Sequence, residues 1–191
     1  MTDTATGPRP SPGKEYRLVP HPDRPPSEVH SVSVEVLWDG DELHLTFNVE
    51  GLAHVALPDR AVPSRTDGLW KTTCCELFLA PAGSDAYFEF NYSPSTQWAA
   101  YRFDSYRAGN RDFALSVEPK IECGNPASAC LVTVRQPSSD LPTVQLQMSL
   151  TAVIEETDGT KSYWALAHAP GPPDFHNRPT FIAILPVPSH P

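Results

Sequence analysis

Four stretches of the chain carry, at alternate positions, side chains able to recognise or transform a polar ligand. From Leu69 to Leu79 one parity gives Trp70, Thr72, Cys74, Glu76 and Phe78, and from Tyr87 to Tyr92 it gives Tyr87, Glu89 and Asn91. A third set is Trp98, Ala100, Arg102 and Asp104, and a fourth is Trp164, Leu166 and His168. Alternate residues of a strand share a face, so each set reads as the face turned away from the core, where plain polar residues are the rule unless something binds. Indole rings pack flat on the C–H face of a sugar-like polyol, while carboxylate, amide and guanidinium groups bond its hydroxyls at fixed positions. The same residues also suit an ordinary solvated face of half-buried aromatics and salt-bridged charges. Residue types alone leave both readings open.

Other chemistry finds less support. Glu76 and Glu89 fall on the same face of neighbouring strands, the arrangement of a glycosidase acid and its partner. No GxSxG elbow, HExxH helix, P-loop or glycine-rich dinucleotide fingerprint occurs. His168 and His176, with Asp174 between them, have spacing eight and intervening prolines, which is no standard ligand pattern, so no metal site is assigned. Cys74, Cys75, Cys123 and Cys130 form no CxxC pair and read as free thiols of a reducing compartment. Asn91-Tyr92-Ser93 fits a glycosylation sequon and is read as a chance match.

The elements that must position these residues are strands. With 22 prolines and 10 glycines in 191 residues, helices have little room. Val32, Val34, Val36 and Trp38 alternate, Asp39-Gly40-Asp41 supplies a turn, and Leu43, Leu45, Phe47 and Val49 alternate again, which predicts a β-hairpin. Core-facing sets are expected at Cys75/Leu77/Leu79, Phe88/Phe90/Tyr92, Ala99/Tyr101/Phe103, Phe113/Leu115/Val117, Val132/Val134, Val144/Leu146/Met148/Leu150, Tyr163/Ala165/Ala167 and Phe181/Ala183/Leu185. Tyr16–Val19 could add an edge strand, and residues 53–68 read as a long loop or crossover. About ten strands predict an all-β fold, an antiparallel β-sandwich of immunoglobulin or jelly-roll type. One domain over 15–191 follows a proline-rich flexible tail over 1–14.

The net charge of −9 repels phosphate backbones and anionic membrane surfaces, so neither nucleic acid nor membrane is an expected partner. Residues 1–8 have no basic or apolar leader character, and nowhere do eighteen apolar residues run together. A cytoplasmic protein is the expectation.

The string Asp67-Gly-Leu-Trp-Lys-Thr-Thr-Cys-Cys-Glu-Leu-Phe-Leu79, with Tyr87-Phe-Glu-Phe-Asn-Tyr-Ser-Pro94 and Gln97-Trp-Ala-Ala-Tyr-Arg-Phe-Asp-Ser-Tyr-Arg107, resembles the DOMON-like domains related to carbohydrate-binding module family 9. The likeness extends to Tyr163-Trp-Ala-Leu-Ala-His168, Pro173-Asp-Phe-His176 and Leu18-Val-Pro-His-Pro22, from about residue 15 onward. The resemblance implies a β-sandwich holding a small ligand, sugar or haem, on one sheet. In the sugar-binding family a tryptophan and a glutamate six residues apart contribute to the site, matched in type and spacing by Trp70 and Glu76. Trp164 matches the family's second tryptophan in chain order, with Arg102 and Asn91 as arginine and amide, so that the two indoles would clamp a pyranose. Some cytoplasmic bacterial DOMON-like proteins share a name with UDP-N-acetylmuramate dehydrogenase, which hints at an amino-sugar or nucleotide-sugar. Calcium is a further option by family likeness. Haem is disfavoured, because the one internal methionine, Met148, shares its parity with core residues. The expectation is a non-catalytic module with no cofactor, binding a sugar or glycan end through Trp70, Glu76, Glu89, Asn91, Trp98, Arg102, Trp164 and His168.

Overall fold

A computed structural model describes residues 13–39, 41–124 and 129–185. Residues 1–12 of the expected tail lie outside the described residues, and Lys14 already belongs to the first strand. The described strands are β1 (Lys14–Pro20), β2 (Ser31–Trp38), β3 (Glu42–Glu50), β4 (Cys74–Pro81), β5 (Tyr87–Tyr92), β6 (Trp98–Phe103), β7 (Arg111–Asp112), β8 (Lys120–Cys123), β9 (Cys130–Pro137), β10 (Leu146–Glu155), β11 (Lys161–Ala165) and β12 (Ala183–Leu185). Short 3-10 turns occur at Leu52–His54, Leu69–Lys71 and Arg178–Thr180.

All strand pairings are antiparallel, in the order β7-β6-β5-β4-β10-β11-β1-β2-β3-β9-β8, with β12 added to β10. The all-β antiparallel class is as expected. The β2–β3 hairpin forms with Val32 opposite Val49 and Trp38 opposite Leu43, as the alternation predicts. Tyr16–Val19 is not an edge strand. β1 pairs with β2 over Lys14–Leu18 and with β11 at Val19 and Pro20, joining two halves of the ladder. It read as an edge because only Leu18 is buried where the ladder passes from one half to the other.

One core takes side chains from both halves: Val32, Val34, Leu43, Leu45, Phe47 and Val132 from one, and Leu77, Phe90, Tyr92, Met148, Leu150 and Trp164 from the other. A second apolar cluster covers the opposite face of β4, β5 and β6, built from Cys74, Phe78, Ala80, Tyr87, Ala99, Tyr101, Phe103 and Phe181. All six residues of β5 are therefore buried.

This double burial reverses two expected faces. Tyr92 pairs with Trp98 and Phe90 with Ala100, so Trp98 and Ala100 join the core while Ala99, Tyr101 and Phe103 face the other way. On β11, Trp164 opposes Ala152 in the core, leaving Tyr163 and Ala165 on the second face. Both parities of these strands are apolar, so alternation fixes the strand but not its facing. The stretch Phe113–Val117 forms no strand: Phe113 and Leu115 pack at the core margin and Val117 is exposed. Val144 precedes β10 and is also exposed. All four cysteines are free thiols, with Cys74 and Cys75 on opposite faces of β4. Asn91 of the sequon is fully buried in β5.

Candidate functional site

The second face of β4, β5, β6, β10 and β11 carries a cavity of about 390 Å³, within the range typical of small-molecule sites. Its floor is a pair of carboxylates. Glu76 stands opposite Asn91 and Phe78 opposite Glu89, so the two glutamates are diagonal neighbours on one face. They are 3% and 6% exposed, and both line the cavity. Thr151 Oγ1 donates to Glu76 Oε2 at 3.0 Å, and Asn91 Nδ2 donates to Glu89 Oε1 at 2.7 Å. Burial pushes both carboxyls above the usual range, and the charge of Glu89 pushes Glu76 further.

Aromatic rings make the walls. Trp70 sits in the 3-10 turn Leu69–Lys71, ahead of β4 rather than on it, and is 43% exposed. Its ring meets Tyr101 edge-on at 6.1 Å, and Tyr101 O–H donates to Asp67 at 2.6 Å. Phe103 and Tyr163 line the cavity from β6 and β11, with Val153 from β10 and Pro173 and Phe175 from the segment before the last 3-10 turn.

The segment 104–110 brings Arg107 and Asn110 to the rim. Gly109 has φ +66°, and a side chain there would run into the Asp104 carboxylate that receives Arg111 at 2.9 Å. Arg107 Nη2 binds Asp174 Oδ1 at 2.7 Å, and Tyr106 O–H donates to Asp174 Oδ2 at 2.8 Å, which ties this segment to the one carrying His176. Arg107 N–H donates to the Tyr87 oxygen at 3.2 Å, and Tyr87 O–H in turn reaches His176 Nδ1 at 2.8 Å. With the Tyr87 hydroxyl as donor the imidazole proton sits on Nε2, which lies 3.7 Å from Glu89 Oε2. Burial lowers His176 to about 4, so the ring is neutral near pH 7. The Tyr87 phenol is pushed up to about 12 by burial.

Of the residues expected at a site, Trp70, Glu76 and Glu89 line the cavity. Asn91 lies beneath it, fully buried, holding Glu89. Trp98 and Trp164 are core residues, 4% and 2% exposed, and the Trp164 indole N–H is used by Ser162 at 2.9 Å. A clamp of two indoles is therefore corrected: Trp70 is the one tryptophan on the cavity. Arg102 shares the face of Phe88, its guanidinium 5.8 Å from that ring, on the opposite side of the sheet from the glutamates. His168 lies outside the cavity, with Nε2 on Val19 O at 2.9 Å and its ring 4.8 Å from His21. The reversed facing of β6 and β11 accounts for Trp98, Arg102 and Trp164, whereas His168 lies beyond the end of β11.

Sequence reasoning missed Tyr101, Phe103, Tyr163, Val153, Asn110, Pro173 and Phe175, and gave Arg107 and His176 no place in the site. The clustering of Arg102, Arg107 and Arg111 and the Asp174/His176 pair were the available signals. Met148 is fully buried in the core, away from the cavity. Among the described residues no three His, Cys, Asp or Glu side chains gather to hold a metal ion, so no calcium ligand set can be named. No helix among the described residues is long and apolar enough to cross a membrane.

No protein-family model matches the chain, and no curated protein matches it. Among solved structures, a protein of Bacteroides uniformis proposed to bind carbohydrate is 19% identical, with 89% of this chain and 84% of that one covered and a TM-score of 0.64. The two share a fold. A family 9 carbohydrate-binding module from Caldicellulosiruptor kristjanssonii in complex with cellotriose is 12% identical at a TM-score of 0.46, covering 77% of this chain and 70% of that one. The module in complex with glucose gives 13% and 0.47, covering 84% and 77%.

Proposed function

We propose that this chain is a non-catalytic sugar-binding module that seats one saccharide unit, free or at a glycan end, against Trp70. The supporting observation is the composition of the cavity: a half-exposed indole beside two buried carboxylates, with Arg107 and the His176 Nε2–H at its margin. The indole offers a flat apolar surface to axial C–H bonds, Glu76 and Glu89 accept from hydroxyls, and the imidazole N–H donates. On this reading the two halves of the ladder form a β-sandwich, the chain is kin to the DOMON-like and family 9 carbohydrate-binding domains, and it works in the cytoplasm.

A thermal-shift screen over neutral sugars, amino-sugars and nucleotide-sugars, followed by calorimetry on the hits, tests the proposal. Trp70→Ala removes stacking surface and Glu76→Gln halves the acceptor capacity. Each is expected to weaken binding by about 1–3 kcal/mol, roughly ten- to a hundredfold. Wild-type affinity in both variants would remove the cavity from the binding site.

The glutamate pair also favours a second reading, glycoside hydrolysis, because two carboxyls of unequal environment on neighbouring strands are what that reaction uses. Turnover of aryl glycosides that disappears in Glu76→Gln and Glu89→Gln would select it over binding alone.

A further inference from the structure

The charges around the cavity are unbalanced. Glu76 receives only the neutral Thr151 hydroxyl, and among the described residues no donor reaches its Oε1. Glu89 receives the neutral Asn91 amide, and its Oε2 meets only the His176 ring at 3.7 Å. Among the described residues the one cation lining the cavity, Arg107, is committed to Asp174 at 2.7 Å. Two carboxyls more than nine-tenths buried, facing one cavity with no cationic side chain paired to either, make an arrangement that is costly until a positive charge arrives. The walls suit the same visitor, since aromatic rings such as those of Trp70 and Tyr163 attract a cation as well as a sugar's C–H surface, and the Tyr101 ring already has the Arg65 guanidinium 5.4 Å from its centre.

We propose that the cavity selects a ligand bearing an ammonium group, an amino-sugar over its neutral counterpart, with the ammonium seated between Glu76 and Glu89. This rests on the saccharide reading above and names the class of saccharide. In the empty cavity burial raises both carboxyls, and the charge of Glu89 raises Glu76 further, so the pair holds protons more tightly than free carboxyls do. An arriving ammonium stabilises both carboxylates and drives to solvent the protons that the pair holds. The other titratable or charged groups around the pair are Cys74 on β4, Tyr87 on β5, Tyr101 on β6, Tyr163 on β11, and Arg107, Asp174 and His176 on the covering segments. Of these only Arg107 is positive near neutrality: it is ion-paired with Asp174, and its charge lowers Glu89 without overcoming the effect of burial, while His176 is neutral.

Calorimetry on the full chain with glucosamine, glucose, N-acetylglucosamine and cyclohexylamine tests the idea. Glucosamine is expected to bind about tenfold or more tightly than glucose or N-acetylglucosamine, with an enthalpy that changes between phosphate and Tris buffers because a proton is released. Glu76→Gln with Glu89→Gln should erase that preference, and the wild-type series decides the matter even where the double variant folds poorly. Equal or tighter binding of glucose overturns the ammonium seat and leaves the saccharide reading standing. Cyclohexylamine binding that depends on the two glutamates, with no sugar bound, keeps the seat and overturns the saccharide reading. Binding of none of the four overturns the ammonium seat.

Discussion

Trp70 and Trp164 are chemically alike, and their surroundings give opposite consequences to losing them. Trp164 is buried between β10 and β1 and fills core volume, so Trp164→Ala opens a cavity and is expected to cost about 3–5 kcal/mol of stability. Trp98→Ala should behave in the same way, being part of the same core. Trp70 is half-exposed on a short turn, and Trp70→Ala should stay within about 1 kcal/mol of wild type. Urea denaturation of the three variants checks this, and an unfolded Trp70→Ala would return that residue to the core. In the sequence, Trp70 and Glu76 were legible as a pair through the family resemblance, whose tryptophan and glutamate they match in type and spacing. The remaining residues depended on the facing of strands with an apolar side chain on either parity, and Trp98 with Tyr101 shows that alternation cannot settle it.

At the level of elements, the chain's alternation located β2, β3, β4, β5, β9 and β10, where one parity is buried against the main core. It failed for β1, whose single buried side chain hides its two neighbours. The strand joins β2 to β11 and is the sole described ladder contact between the two halves of the sheet. Removing residues through Pro20 should therefore abolish the cooperative unfolding transition rather than lower it by a few degrees, because it exposes the edges of β2 and β11 and uncovers Leu18's share of the core. A truncated chain that still melts cooperatively near the wild-type temperature would show that core packing alone holds the halves together. The segments 104–110 and 173–177 are brought together at the cavity by the Arg107–Asp174 contact between residues 67 positions apart, which no local pattern in the sequence announces.

For the molecule as a whole, the buried glutamates and His176 pull the pH dependence of stability in opposite directions. The carboxyls of Glu76 and Glu89 are raised in the folded state, so it binds their protons more tightly than the unfolded chain does. Their contribution is fully present below the ordinary carboxyl range and is lost as pH rises through the raised folded values. His176 is lowered from 6.5 to about 4, so its contribution is complete above pH 6.5 and is lost as pH falls toward 4, with a full size on the order of 3 kcal/mol. The net charge of −9 adds self-repulsion on the alkaline side. Between the ordinary carboxyl range and pH 6.5 the two contributions therefore oppose each other, and above pH 6.5 the carboxyl loss and the self-repulsion stand unopposed, so stability should fall toward the alkaline side. Chemical denaturation from pH 4 to 8 separates the causes. Glu76→Gln should be at least as stable as wild type at pH 8, with no such advantage at pH 4, because it removes a buried charge that only the alkaline condition creates. His176→Asn should remove the positive slope that the imidazole contributes between pH 4 and 6.5, whatever its absolute stability, because the slope reads proton uptake and not packing. A Glu76→Gln protein clearly less stable than wild type at pH 8 would mean that the ionised carboxylate is held by a favourable partner, and the cavity would no longer be short of a cation.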